Sequence, residues 1–156
     1  LQRIRFVVIG KDNFEPFRQL SGRLGLTEKL IFFPGRDDIP RFLQAADLLM
    51  HPAYYENSGM ILLEALVAGL PVLTTDACGY AHYVEEVDCG VVISDPYRQE
   101  VMDKMLAKML TDQEYGQRRR NGIEFGNSAD LYQLHEVAAD VIERVVDQKI
   151  SRRQVG

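Results

Sequence analysis

Residues 48–75 read LLMHPAYYENSGMILLEALVAGLPVLTT, and this stretch decides the fold class. The short apolar runs Leu48–His51 and Val72–Thr75 are typical of strands, and Gly59–Ala68 between them has the pattern of a helix. We expect Gly69 to end that helix as its C′ residue. Short buried strands that alternate with helices predict a parallel sheet covered on both faces.

The same alternation continues on both sides of this stretch. Further strands are predicted at Arg5–Ile9, Leu30–Phe33 and Gly90–Ile93, and further helices at Phe14–Leu24 and Ile39–Ala46. We expect Arg5–Ile9, a β-branched and aromatic run, to be buried. The tail is predicted to be helical, with one apolar stripe at Val101, Met102, Met105, Leu106, Met109 and Leu110 and another at Leu134, Val137, Ala138, Val141, Ile142, Val145 and Val146. The predicted class is α/β, a Rossmann-like parallel sheet with extra C-terminal helices.

Composition excludes several classes of protein. The 156 residues fit one domain of roughly 100–200 residues, which we place at residues 1–150 with a frayed tail at 151–156. The net charge of −5 argues against a nucleic-acid partner, which a basic surface would attract. No apolar run approaches the ~20 residues of a membrane span. The two cysteines form no CxxC motif, so we predict reduced thiols in a cytoplasmic protein.

The loop before the predicted helix carries the first candidate site. Small residues in Glu56-Asn57-Ser58-Gly59 would leave the first N–H groups of the helix open to an anion, and the helix dipole would add to the attraction. This pattern predicts a phosphate-binding position. The alternative is that Asn57 or Ser58 simply caps the helix.

Glu64 is the second candidate. Its neighbours at helical spacing are Met60, Ile61, Val67 and Ala68, so its side chain projects from an apolar face. A buried carboxylate without a partner is costly, which predicts that Glu64 is paired or binds a ligand. The alternative is that Glu64 lies at the edge of the helix and reaches water, or pairs with a structural arginine.

Together these residues resemble a known family. Glu56 and Glu64 form an E-x7-E motif that leads into EALVAGLPVL, and residues 32–53 read FFPGRDDIPRFLQAADLLMHPA. This combination resembles the retaining GT-B glycosyltransferases of family 4. The resemblance covers nearly the whole chain and implies the C-terminal, donor-binding half of a GT-B fold. It also implies that no metal and no cofactor is needed beyond the nucleotide-sugar substrate.

A narrower resemblance comes from residues 51–84, HPAYYENSGMILLEALVAGLPVLTTDACGYAHYV. Within the family they are similar to enzymes that transfer glucose from UDP-glucose to a heptose of the lipopolysaccharide core in an α-1,3 linkage. His82 stands where most family members have a glutamate, and the CGYAHY segment is similar in the lipopolysaccharide enzymes. This departure therefore favours the narrower group.

The resemblance implies a role for each matched position. Glu64 would bind the ribose hydroxyls and Glu56 would act at the donor sugar and its leaving phosphate. Arg36 would help frame the uracil. The remaining donor-binding positions implied for sugar and phosphate are Asn57, Ser58, Gly59, Met60 and His82, of which Ser58, Gly59 and Met60 would offer backbone N–H groups to the pyrophosphate.

The resemblance also implies a larger enzyme. Family members neutralise the diphosphate with an arginine and a lysine that precede the first strand, and nothing before Arg5 matches that segment. The acceptor-binding N-terminal half is also absent, so we expect this polypeptide alone to be inactive. The parent would work in the cytoplasm, at the inner face of the inner membrane, by peripheral contact and on a lipopolysaccharide core acceptor.

The sequence argues against several other functions. Gly10-Lys11-Asp12-Asn13-Phe14 after the first strand lacks the GxGxxG of dinucleotide-dependent oxidoreductases, and no P-loop motif is present. A receiver-like module would need an aspartate after the third strand, where His51 and Pro52 stand. A family 4 transferase with another nucleotide-sugar donor and a non-catalytic nucleotide-sugar binder remain as alternatives. We predict Arg118–Arg120 to be a solvated helix face.

Overall fold

The structure is a computed structural model that describes residues 4–131 and 133–154, with the backbone alone at residue 134 and residues 148–154. It divides into two compact units, the first ending at Phe42 and the second beginning at Leu43. In chain order the elements are β1 (Phe6–Gly10), α1 (Glu15–Arg23), β2 (Leu30–Pro34), α2 (Ile39–Ala45), β3 (Leu49–His51), α3 (Met60–Val67), β4 (Val72–Thr75), α4 (Ala81–Glu86), β5 (Gly90–Ile93), α5 (Gln99–Met109), α6 (Tyr115–Ser128) and α7 (Leu134–Gln154).

The first unit contains a two-stranded parallel sheet. Its register runs from Phe6 opposite Leu30 to Gly10 opposite Pro34. The prediction that β1 is buried is wrong, because Phe6, Val7 and Val8 are 38%, 47% and 37% exposed. In the described part of the chain β1 pairs with β2 alone. Apolar residues give a segment its strand propensity, but burial also requires neighbouring elements on the faces of the strand.

The second unit contains a three-stranded parallel sheet in the order β3-β4-β5. Strand β4 lies in the centre, with Val72 opposite both Leu49 and Gly90. All four residues of β4 are buried. Because each strand is parallel to its neighbour, the carboxyl ends of the three strands meet at one edge of the sheet, which is where this architecture places ligand sites.

The core of the second unit is built from the central strand and the inward faces of the helices. The largest fully buried side chains in the described residues are Leu62, Leu66, Leu70, Leu73, Met102, Val72, Val84, Thr74, Pro71 and Cys89. Met102 and Met109 of α5 are buried and Met105 packs against them, which agrees with the predicted apolar stripe of this helix. Gly69 follows α3 with a φ of +67°, which confirms its predicted role at the end of that helix.

Helices α4 and α7 each have a feature that the sequence pattern does not show. The sequence pattern missed α4, a single short helix that buries Ala81 and Val84. The apolar stripe of α7 is exposed at every described position, including Val137, Ile142 and Val146. Helix α7 includes residues 151–154 of the predicted frayed tail, and residues 155 and 156 lie outside the described part. Among the described helices, none combines the length and hydropathy needed to cross a bilayer.

Arg118 is not the solvated side chain that the sequence predicted. Its side chain is only 13% exposed and contacts Asp88 and Asp112, each at 2.9 Å. It also donates a hydrogen bond to the carbonyl oxygen of Gly90, at 3.2 Å. Arg118 therefore fastens α6 to the start of β5 and to the segment before α6.

Candidate functional site

Three loops of the second unit leave the carboxyl ends of its strands. They are residues 52–59 after β3, 76–80 after β4 and 94–98 after β5. Six of the eight residues predicted to bind a ligand lie on the first two of these loops or within the first turn of the helix that follows each. Those six are Glu56, Asn57, Ser58, Gly59, Met60 and His82. The other two are Glu64, within α3, and Arg36, in the first unit.

The start of α3 has no side-chain cap. Gly59 is the N-cap residue and has a left-handed backbone, with a φ of 70° and a ψ of 47°. Glycine adopts this conformation without the steric penalty of a Cβ atom. The alternative that Asn57 or Ser58 caps the helix is therefore wrong. The positive end of the helix dipole faces the loop without a protein side chain to satisfy it, which is a suitable environment for an anion.

Glu56 is held by one contact within its own loop and one with the last residue of β3. Its Oε1 atom accepts a hydrogen bond from the backbone N–H of Asn57 at 2.9 Å, and its Oε2 atom lies 3.5 Å from Nε2 of His51. The side chain is 33% exposed. His51 Nε2 is shielded from solvent and has no hydrogen-bond partner in the described part of the chain. Glu56 thus combines a fixed orientation with access to solvent, as a ligand-binding carboxylate would.

His82 lies in the first turn of α4, and its ring is oriented by two neighbours. Its Nδ1 atom lies 2.9 Å from the carbonyl oxygen of Gly79. Because a carbonyl oxygen can only accept, Nδ1 carries the proton in this hydrogen bond. The ring also packs on Tyr83, with 4.1 Å between the ring centroids. His82 is exposed as a residue, and its Nε2 atom has no hydrogen-bond partner among the described residues, so it could contact a ligand.

Glu64 is exposed, so the argument that burial forces it to pair is wrong. Helix α3 buries Leu62, Ala65 and Leu66, while Met60 and Val67 on the other side are 53% and 37% exposed. Glu64 shares that solvent-facing side, and its carboxylate has no hydrogen-bond or ion-pair partner among the residues that the structure describes. The alternative that it reaches water is the one observed. Its carboxylate oxygens are therefore available to a ligand with hydroxyl groups.

Arg36 follows β2 in the first unit. Its guanidinium binds Asp38 through two hydrogen bonds, Nε to Oδ1 at 2.6 Å and Nη2 to Oδ2 at 3.0 Å. The same group lies 5.1 Å from the ring centroid of Phe42 and 5.7 Å from that of Phe33. These contacts fix the side chain and leave a planar, half-exposed group on an aromatic support.

The sequence did not identify two features of this site. One is the contact between His51 and Glu56, since nothing in the spacing of a strand residue and a loop residue five positions later indicates that they meet. The other is the contact of the two loops, where Gly79 N–H donates to Asn57 O at 3.2 Å and Tyr80 N–H donates to Ser58 O at 2.9 Å. Within the described residues no group of three His, Cys, Asp or Glu side chains could hold a metal ion.

This chain is similar in sequence to known proteins. The family model of glycosyl transferases group 1 matches residues 1–126. The lipopolysaccharide glucosyltransferase WaaG of Escherichia coli (strain K12) is 45% identical over 141 residues, which are 90% of this chain and 38% of that protein. This chain therefore spans little more than a third of the length of that relative.

Solved structures agree with the sequence comparison. The crystal structure of WaaG, a glycosyltransferase involved in lipopolysaccharide biosynthesis, aligns with a TM-score of 0.83 at 45% identity, over 88% of this chain and 38% of that one. Anabaena HepE in complex with UDP-glucose has the same fold at 22% identity, with a TM-score of 0.77 over 92% of this chain and 42% of that one.

The sequence-based resemblance and the predicted α/β fold class are thereby confirmed. The family model covers most of the chain, including β1 to β5 and both carboxylates of the E-x7-E motif. The WaaG structure shares this fold at 45% identity. The chain belongs to the glycosyl transferases group 1 family.

Proposed function

We propose that this chain is the donor-binding part of a retaining glycosyltransferase that transfers glucose from UDP-glucose to a heptose of the lipopolysaccharide core. The observation that carries the proposal is the 45% identity to the lipopolysaccharide glucosyltransferase WaaG over 90% of the chain. UDP-glucose is bound by HepE, a protein of the same fold. The complete protein, with its acceptor site, would act in the cytoplasm at the membrane face, while this polypeptide alone would not catalyse transfer.

In this proposal Glu64 binds the ribose of the nucleotide. Its carboxylate is exposed, unpaired among the described side chains and fixed on a regular helix. A carboxylate with free lone pairs can accept hydrogen bonds from two neighbouring hydroxyl groups, as a ribose presents them. The role of Arg36 at the uracil stays a prediction from the family resemblance, and Phe33 and Phe42 support its guanidinium within the first unit.

The diphosphate would bind at the start of α3. Backbone N–H groups of Ser58, Gly59 and Met60 would donate to it, and the uncapped helix end would stabilise its charge. Glu56 would act at the donor sugar, with Asn57 beside it and the Nε2 edge of His82 at the sugar or phosphate. Stabilising the departing UDP is the main electrostatic task of this reaction, and none of these groups requires a metal or a further cofactor.

Calorimetric titration of the chain with UDP, UDP-glucose, GDP and ADP tests the donor assignment. We expect the uridine ligands to bind more tightly than GDP or ADP, and Glu64→Gln to weaken UDP binding by about tenfold, because a charge-assisted hydrogen bond is lost. Glu124→Gln is a matched control, since Glu124 is also an exposed carboxylate on a helix, α6, with no assigned role.

The titration distinguishes the remaining alternatives. Tighter binding of GDP or ADP would retain the family and overturn UDP-glucose as the donor. Equal affinities for Glu64→Gln, Glu124→Gln and the unchanged chain would remove Glu64 from the nucleotide site. If no nucleotide bound, the donor-binding role of this chain would be contradicted.

A further inference from the structure

Two buried hydroxyl groups at the end of β4 have no role in the site as described so far. Thr74 is fully buried and Thr75 is 3% exposed. Thr75 Oγ1 donates a hydrogen bond to the carbonyl oxygen of Ala53 at 2.6 Å, and Thr74 Oγ1 donates to that of His51 at 3.1 Å. Both acceptors belong to the backbone that leaves β3 and enters the loop of Glu56. The two threonines therefore hold the beginning of this loop.

The end of the same loop is held by the residues that follow the threonines. The N–H groups of Gly79 and Tyr80 donate to the carbonyl oxygens of Asn57 and Ser58. This contact needs a glycine, because a Cβ atom on Gly79 would lie 2.9 Å from the carbonyl oxygen of Asn57. A single continuous segment, residues 74–80, thus fastens the Glu56 loop at both of its ends.

The middle of the loop, by contrast, is open to solvent. Tyr55 is 97% exposed and the Glu56 side chain is 33% exposed. Among the described residues, the polar contacts of the Glu56 carboxylate are with the N–H of Asn57 and with Nε2 of His51, and the carbonyl of His51 accepts a hydrogen bond from Thr74. The position of the Glu56 carboxylate consequently depends on how firmly the loop ends are held.

We propose that Thr75, assisted by Thr74, is a positioning residue that sets the placement of Glu56 against the sugar of the donor. The inference rests on the proposed function, in which Glu56 acts at the sugar and Glu64 at the ribose. The inference predicts a specific effect on donor binding when the two hydroxyls are removed. Their loss weakens binding of the sugar moiety and leaves binding of the nucleotide moiety in place.

A merely structural role for the hydroxyls has different consequences. It would lower the stability of the whole second unit, and below the unfolding temperature it would leave the ratio of UDP-glucose to UDP affinity unchanged. The ratio is therefore the informative quantity. It compares a ligand that reaches Glu56 with one that lacks the sugar.

The test uses the complete chain with Thr75→Val, which keeps the shape and removes the hydroxyl, and Thr75→Ser, which restores it. Calorimetric affinities for UDP and UDP-glucose are measured well below the unfolding temperature. We expect Thr75→Val to reduce the UDP-glucose affinity about fivefold or more, and the UDP affinity less than twofold, with recovery in Thr75→Ser. Thr111→Val is the control, because Thr111 lies two residues after α5 and its hydroxyl bonds to the carbonyls of Ala107 and Lys108 in that helix.

Amide hydrogen exchange of the unliganded chain gives a second readout. Exchange at residues 55–59 should be faster in Thr75→Val than in the unchanged chain, Thr75→Ser or Thr111→Val. If Thr75→Val does not fold, Thr74→Val should show the same pattern with a smaller amplitude, because its hydrogen bond is longer.

The outcomes separate this inference from the proposed function. Equal loss of UDP and UDP-glucose affinity, or unchanged exchange in the loop, overturns the positioning role while nucleotide binding persists. If the unchanged chain binds no nucleotide, the proposed function fails, and with it the link from the threonines to the sugar. A selective loss of UDP-glucose affinity that Thr75→Ser reverses supports both.

Discussion

Strands β1 and β4, with the sequences FVVIG and VLTT, have opposite environments, and the strand without a polar side chain is the more exposed one. Every residue of β4 is buried, whereas Phe6, Val7 and Val8 of β1 are exposed. Strand β4 has a hydrogen-bonded neighbour on each side, and in the described residues β1 pairs only with β2. The comparison teaches that side-chain pattern determines which segments become strands, while their neighbours determine how much surface is buried. Equivalent substitutions should therefore have unequal effects in the two units.

Truncation of an apolar strand residue is the strongest test of this difference. Leu73 is fully buried, with no accessible surface. Leu73→Ala should therefore lower the free energy of unfolding by about 2–5 kcal/mol. Val7 is 47% exposed, and Val7→Ala should cost less than about 1 kcal/mol. Urea unfolding followed by circular dichroism measures both. Equal costs would show that burial does not distinguish the two strands.

Glycine substitutions provide the next test. A Cβ atom on Gly90 of β5 would collide with the backbone carbonyl of Val72 on β4, so Gly90→Ala should cost about 1–3 kcal/mol. Gly22 lies in α1 of the first unit, where the nearest atom to an added Cβ is Oγ1 of Thr27 at 3.9 Å. Gly22→Ala should instead stabilise the chain by about 0.5–1 kcal/mol, because alanine favours a helix. Thermal unfolding of both variants measures the difference, and a destabilised Gly22→Ala would contradict it.

Patterns that repeat along the chain predicted much of the fold. The alternation of strands and helices, the E-x7-E motif and Gly69 at the end of α3 are all local signals. Burial was predicted less well, because it depends on which elements meet. Strand β1 is exposed although its sequence predicts burial, and Glu64 is exposed as one of its two alternatives states, because apolar neighbours in sequence need not be neighbours in a core.

The candidate site shows the same division between local and long-range information. Glu56, Glu64 and the glycine before α3 could be selected from sequence spacing and family resemblance. The hydrogen bond from Thr75 to Ala53 joins residues 22 apart, and Arg118 meets Asp88 across 30 positions. No periodicity links such pairs, so the groups that hold the site and the fold became visible only in the structure.

Each unit contains an arginine–aspartate pair, and substitutions in these two pairs should show the smallest difference in stability. Hydrogen bonds from the N–H of Glu114 and the guanidinium of Arg118 lower the pKa of Asp112, whose side chain is 14% exposed. A carboxylate with a lowered folded-state pKa stabilises the protein above its unfolded pKa of about 3.9, and this contribution is lost as the pH falls through the folded pKa. Arg36 likewise lowers the pKa of Asp38, but that side chain is 34% exposed and water screens the pair.

Asp112→Asn should therefore lower stability at pH 7 by on the order of 1 kcal/mol and make the loss of stability between about pH 5 and pH 2 shallower, while Asp38→Asn leaves both nearly unchanged. Urea unfolding at a series of pH values measures the two slopes. The same shallow slope in both variants would mean that burial does not separate the two pairs.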